Sequence, residues 1–164
     1  FCLVPPKLLV RDTEAFWTFF NQKAEGACEG FGHARRFAIL SGKTTDAFHL
    51  YSDATRIEGS YPSDAGTTND ATCQALRKWG LHTQPGVEAH RVDVRSEPVV
   101  EHAGSYRWAL NVEQVWAVLG ITDGGPAPFV NSWGAYYPHV VYMPPETFAR
   151  LLREGGEVDV LTDL

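Results

Sequence analysis

The chain has 164 residues, 44% hydrophobic and 12% aromatic, and a formal charge of −6 from 20 acidic and 14 basic side chains. That length is about one domain, enough to bury a core without staples, and the composition excludes a disordered or fibrous chain. The acidic balance argues against nucleic acid as a partner, because phosphate binding needs a net basic face.

The opening, FCLVPPKLLVRD, has too short an apolar stretch for a secretory signal, and Phe1 in place of Met suggests a start after processing or a leader. No apolar run approaches the ~20 residues of a membrane helix, so no membrane partner is expected. The segment 27–41 predicts a helix, with Phe31, Ala34, Phe37, Ala38 and Ile39 at roughly helical spacing and Gly42 as its stop. A second helix is predicted over 45–58, carrying Ala47, Leu50, Tyr51, Ala54 and Ile57 and ended by Gly59. YPSDAG, 61–66, reads as a loop. A third helix, about 69–79, is capped by Thr68 or Asn69, presents Ala71, Ala75, Leu76 and Trp79, and stops at Gly80.

After Pro85 the pattern changes to short Val-rich runs. Strands are expected at 115–121, 128–133, 139–143 and 157–161, with a last helix from Pro144-Pro145-Glu146 through Leu151-Leu152 to Gly155-Gly156. The class is α+β: one domain over 1–164, a helical half to about 84 and a sheet half from about 85.

Three cysteines, Cys2, Cys28 and Cys73, give an odd count without C-x-x-C spacing, which disfavours a disulfide framework. The histidines at 33, 49, 82, 90, 102 and 139 form no H-x-x-x-H pair, so neither a metal nor another cofactor is expected. Cys28 falls at the start of the first predicted helix. There the helix dipole favours a thiolate, and free N–H groups can hold an oxyanion, with the Gln22 amide six residues upstream as a second donor. A small packed residue is the alternative reading. Asn131, before Ser132-Trp133-Gly134, reads either as a structural turn or as the group that orients a catalytic imidazole beneath the indole.

Gln22, then Gly26-Ala27-Cys28-Glu29-Gly30-Phe31, and later Asn131-Ser132-Trp133-Gly134, together resemble the papain-like cysteine peptidases. Asp64-Ala65-Gly66-Thr67-Thr68, with the helix ending at Gly80, looks like that family's acidic-Gly loop, and the resemblance covers most of 15–160. The form resembles bacterial and phage members. It implies a papain-like fold, with the nucleophile helix packed on a C-terminal antiparallel sheet or half-barrel. It also implies Cys28 as nucleophile, Gln22 and the Cys28 N–H as oxyanion donors, and Asn131 as the orienting group. Gly26, Gly66, Thr67 and Trp133 would meet substrate.

One element departs from the family. The catalytic His should stand on the strand before the Asn, and placing its following Gly at Gly120 puts Gln114 in that position. Glutamine cannot exchange a proton at neutral pH. In a second alignment Asn111 caps a helix and the His-bearing strand is absent. His102, in the remodelled stretch 99–104, is then the first candidate for the base, ahead of His139 at the start of the next strand. A base from a partner chain is a third route.

The expected function is a papain-like thiol hydrolase acting on a peptide or protein. The alternative is a catalytically degenerate scaffold with an assembly partner, for example in a phage particle, so the expected location is the cytoplasm or a virion. Bland roles are expected elsewhere. His33, His49, His82 and His90 read as surface residues, Arg35-Arg36 and Arg77-Lys78 as solvated basic faces, and Cys73, Trp108 and Trp116 as core. Cys2 reads as incidental, and 154–163 as an exposed acidic edge.

Overall fold

The computed structural model describes residues 2–3, 20–41, 45–82, 99–101, 106–130, 132–134 and 136–161. The three early helices form where the sequence places them: α1 (Cys28–Ser41), α2 (Ala47–Glu58) and α3 (Asn69–Trp79). Their ends follow from local chemistry. The Asp46 carboxylate accepts the His49 N–H to open α2, and Gly59, at φ 76°, closes it by donating to Arg56 and Thr55. The Thr68 hydroxyl accepts the Ala71 N–H to open α3, and Gly80 closes it. Gly42, the expected stop of α1, lies outside the described residues.

Two apolar clusters hold the three helices together. Phe31 sets its ring edge-on against both Phe20 and Phe48. Phe37, Leu50, Ala54, Ala75, Leu76 and Leu81 fill the space between α1, α2 and α3. Gly30 lets α1 and α2 approach closely: a Cβ there would stand 2.7 Å from the Ala47 carbonyl oxygen and 2.9 Å from Tyr51 Cβ.

The later part is less of a sheet than the Val-rich runs suggest. Its strands are β2 (Leu81–His82), β3 (Val99–Glu101), β4 (Tyr106–Trp108), β5 (Ala127–Val130), β6 (Val140–Met143) and β7 (Asp159–Leu161), and β1 (Cys2–Leu3) comes from the start of the chain. Among the described residues they form three small antiparallel ladders, β1-β5-β6, β2-β3 and β4-β7, not one large sheet. Two helices, α4 (Val112–Leu119) and α5 (Pro145–Arg153), belong to this half as well. A third apolar cluster joins Val115, Trp116 and Leu119 of α4 with Ala127 and Phe129 of β5 and Phe148 of α5.

Helix α4 corrects the strand expected at 115–121. The Asn111 side chain accepts the Gln114 N–H at 2.9 Å, and Gly120, at φ 71°, ends the helix. The buried positions, Val115, Trp116 and Leu119, recur at helical spacing. The run was read as a strand because it is short and Val-rich, and the cap, not the composition, decides its form. The helix capped by Asn111, which the second alignment expects, is present. The element preceding β5 is a helix.

Candidate functional site

The site begins where two distant segments pair. The Gly134 N–H donates to the Phe20 carbonyl at 2.9 Å, and the Gln22 N–H donates to the Ser132 carbonyl at 2.9 Å. Asn21 and Trp133 form an antiparallel bridge between these bonds. The Gln22 side chain is held at both ends. Its Oε1 accepts the Ser132 hydroxyl at 2.8 Å, and its Nε2 donates to the Glu25 carbonyl at 3.1 Å. Gly134, at φ 80°, is needed for this approach, since a Cβ there would lie 2.9 Å from Asn21 Nδ2.

From Gln22 the chain turns into α1. The Asn21 carboxamide accepts the Lys23 N–H at 2.9 Å, and Lys23 itself takes a positive φ of 56°. Gly26 packs on the 64–66 loop, where a Cβ would stand 3.1 Å from Gly66 Cα. The Asp64 carboxylate accepts the Gly26 N–H at 3.0 Å and the Tyr51 hydroxyl at 2.6 Å, and Tyr51 in turn accepts the Gly66 N–H at 3.2 Å. Tyr51, inside α2, thus fixes the acidic-Gly loop against the residues that precede the thiol. Ala27 is fully buried and its carbonyl accepts the first bond of α1, from Phe31. Cys28 is the first residue of α1 and is exposed. Its N–H, with those of Glu29 and Gly30, has no carbonyl one turn back within the helix. Burial pushes the Glu29 carboxyl above the usual range, with Asp159 and Glu157 acting in the same sense.

An open cleft of about 400 Å³ lies on the paired segments, lined by Asn21, Lys23, Trp133 and Tyr137. Trp133 is half exposed and meets Tyr137 edge-on at 5.6 Å.

The structure therefore brings together Gln22, Gly26, Gly66 and the Ser132–Gly134 stretch around the start of α1, with Thr67 half-buried at the end of the loop. Asn131 and His102 lie outside the described residues, as does His90. Gln114 lies on a helix, not on the strand that the first alignment expects. It sits in the first turn of α4, exposed, with its Oε1 accepting the Leu110 N–H at 2.7 Å. It caps its own helix and stands on no strand. His139 is half-buried just before β6.

Several residues expected at the surface are interior. His33 is buried on α1, 2.7 Å from Asn69 Oδ1 through Nε2 and 2.7 Å from Arg36 through Nδ1. Burial, helped by the neighbouring Arg36, lowers its pKa to about 4. Arg36 also pairs with Asp159 at 2.9 Å, and Asn69 Nδ2 donates to the same carboxylate at 3.2 Å. Asp159 is thus a buried anchor in the segment read as an exposed edge. Cys73 is core, as expected; burial first and Asp159 second push its thiol far up, so it stays protonated. Arg35 is 1% exposed and lies over the Phe20 ring at 4.1 Å. Trp116 is buried, donating its indole N–H to Gly125 at 2.8 Å, whereas Trp108 is partly exposed. His49 and His82 are both buried, with rings stacked at 4.0 Å.

A signal for these was present. His33 lies four residues before Phe37 on the face of α1 that the apolar residues mark as buried, and His49 lies four before Asp53. No helix among the described residues is long and apolar enough to cross a membrane. Comparison of the chain with protein-family models, with curated proteins and with solved structures finds no match to any of them.

Proposed function

We propose that the chain carries a papain-like thiol-hydrolase site with Cys28 as its nucleophile, acting on a peptide or protein. The observation that supports it is the pairing of Gln22 with Ser132, which places the glutamine of the Q-x5-C segment against the N-S-W-G strand end. Two motifs 110 residues apart are joined by backbone and side-chain bonds.

In this reading the Cys28 thiolate attacks the substrate carbonyl carbon. The oxygen charge that develops is held by the Cys28 N–H and by the Gln22 Nε2 hydrogen not spent on Glu25. An imidazole gives its proton to the departing amine as the C–N bond breaks, and water then hydrolyses the thioester. Asn131 orients that imidazole, and His102 is the first candidate to supply it. Gly66 and Trp133 line the approach.

A second reading is favoured by α4, which occupies the chain before β5 and carries no histidine. Here the chain is a papain-like scaffold kept for binding or assembly. Gly26, Gly30 and Gly134 all have packing reasons to be glycine, independent of catalysis.

The test is the pH dependence of iodoacetamide alkylation, resolved by site, with Cys2 as the internal comparison. An isolated thiol has a pKa of about 8.5, while a His-paired catalytic one falls to roughly 3–4. The hydrolase reading expects fast labelling of Cys28 that persists at pH 5 and is lost in His102→Ala. Labelling of Cys28 that rises only near pH 8 would leave the scaffold reading.

A further inference from the structure

A second cluster lies on the other face of α2, apart from Cys28. His49 and Asp53 stand at i and i+4, so the helix turns both to one side. His82 joins them from β2, because the Asp46 N–H, at the cap of α2, donates to the His82 carbonyl at 2.8 Å. His49 Nε2 lies 3.7 Å from Asp53 Oδ2. One donor atom from each of His49, Asp53 and His82 falls within 4.8 Å of the other two, and all three residues are buried. A tetrahedral zinc holds nitrogen and oxygen donors at about 2.0–2.1 Å, which sets them roughly 3.4 Å apart. The three donor atoms come within reach of that spacing once one of the rings turns.

Charge points the same way. Asp46 is 2% exposed and Asp53 fully buried, so the interior holds two carboxylates. Arg56 meets Asp53 Oδ1 at 2.9 Å, but it is 29% exposed, at the rim. One Asp46 oxygen accepts the His49 N–H; the other, Oδ2, is buried with no hydrogen-bond partner. A buried carboxylate oxygen without a partner is costly unless a cation balances it or it takes up a proton, and burial raises the Asp46 carboxyl above its ordinary range. Arg56 already pairs with Asp53, and two imidazoles with a carboxylate form the borderline nitrogen–oxygen set that suits zinc.

We propose that His49, Asp53 and His82 bind a divalent transition-metal ion, zinc by donor type, with Asp46 balancing its charge, and that the ion pins β2 to α2. The two rings lie parallel, 7° apart, and lone pairs in parallel planes cannot converge on one ion. Binding therefore turns one imidazole about its Cβ–Cγ bond and breaks the stack.

The whole chain, stripped with a chelator, is titrated with Co²⁺ and followed by visible absorption, then with Zn²⁺ by calorimetry. The expected result is one equivalent bound with a tetrahedral d–d spectrum, no thiolate-to-cobalt band in the near ultraviolet, and a Tm that rises until one equivalent is added. His82→Ala and Asp53→Asn lose that equivalent, whereas Cys28→Ser and Cys73→Ser keep it. The spectrum of the unaltered chain decides the matter even if a variant fails to fold. No uptake, a thiolate band, or loss of binding in either cysteine variant overturns the proposal.

Discussion

Replacing Asp159 by Ala removes the anion on which three elements converge. Its carboxylate pairs with Arg36 of α1 at 2.9 Å, accepts from Asn69 of α3 at 3.2 Å and lies 3.6 Å from the Cys73 sulfur. The side chain is 9% exposed, so these bonds form largely away from water. Removing one partner of a buried ion pair costs about 3–5 kcal/mol. Arg36, 20% exposed, can partly rehydrate, which puts the expected loss at the lower end, about 3 kcal/mol. For a chain of this length that is a fall in Tm of roughly 6–12 °C.

The pH dependence sharpens the test. Burial alone would raise the Asp159 carboxyl, but His33 and Arg36, together with the hydrogen bonds from Arg36 and Asn69, outweigh it and hold the pKa below the ordinary 3.8. A carboxylate with a depressed folded-state pKa adds stability above its unfolded pKa and loses it as pH falls through the folded one. The wild-type advantage over Asp159→Ala, read from urea unfolding, should be full near pH 6 and shrink below pH 3.8. A difference under about 0.5 kcal/mol, the range of an ordinary surface substitution, would refute the reasoning. So would a difference that does not change with pH.

Gly30→Ala tests the approach of α1 to α2. The added methyl gains up to about 1 kcal/mol of helix propensity, but it stands 2.7 Å from a backbone oxygen that cannot step aside. A net loss of about 1–3 kcal/mol is expected in urea unfolding; a stabilised variant would mean the helices are further apart. Gln114→His tests the correction at α4. Since position 114 lies in a helix turn bonded to Leu110, the new imidazole should leave the pH profile of Cys28 alkylation unchanged. Faster labelling of Cys28 at pH 5 in this variant would restore the first alignment.

The sequence by itself determined the early helices almost to the residue, because their ends are local events. Asp46, Thr68, Gly59 and Gly80 act on groups within a few positions of themselves. The candidate site was marked in the sequence only by short motifs holding Gln22, Gly26, Cys28, Gly66 and Trp133, and the contacts of Gln22 with Ser132 and of Gly26 with Gly66 came from the structure. What tertiary structure alone decided is everything that depends on a distant neighbour. Ser132 reaches Gln22 across 110 residues, and Asp159 reaches Arg36 across 123. Spacing along a chain says which face of a helix a histidine occupies, but not what covers that face. Hence His33, His49 and His82 read as surface residues until β7, α3 and the cap of α2 closed over them, and a Val-rich run read as a strand until Asn111 started a helix.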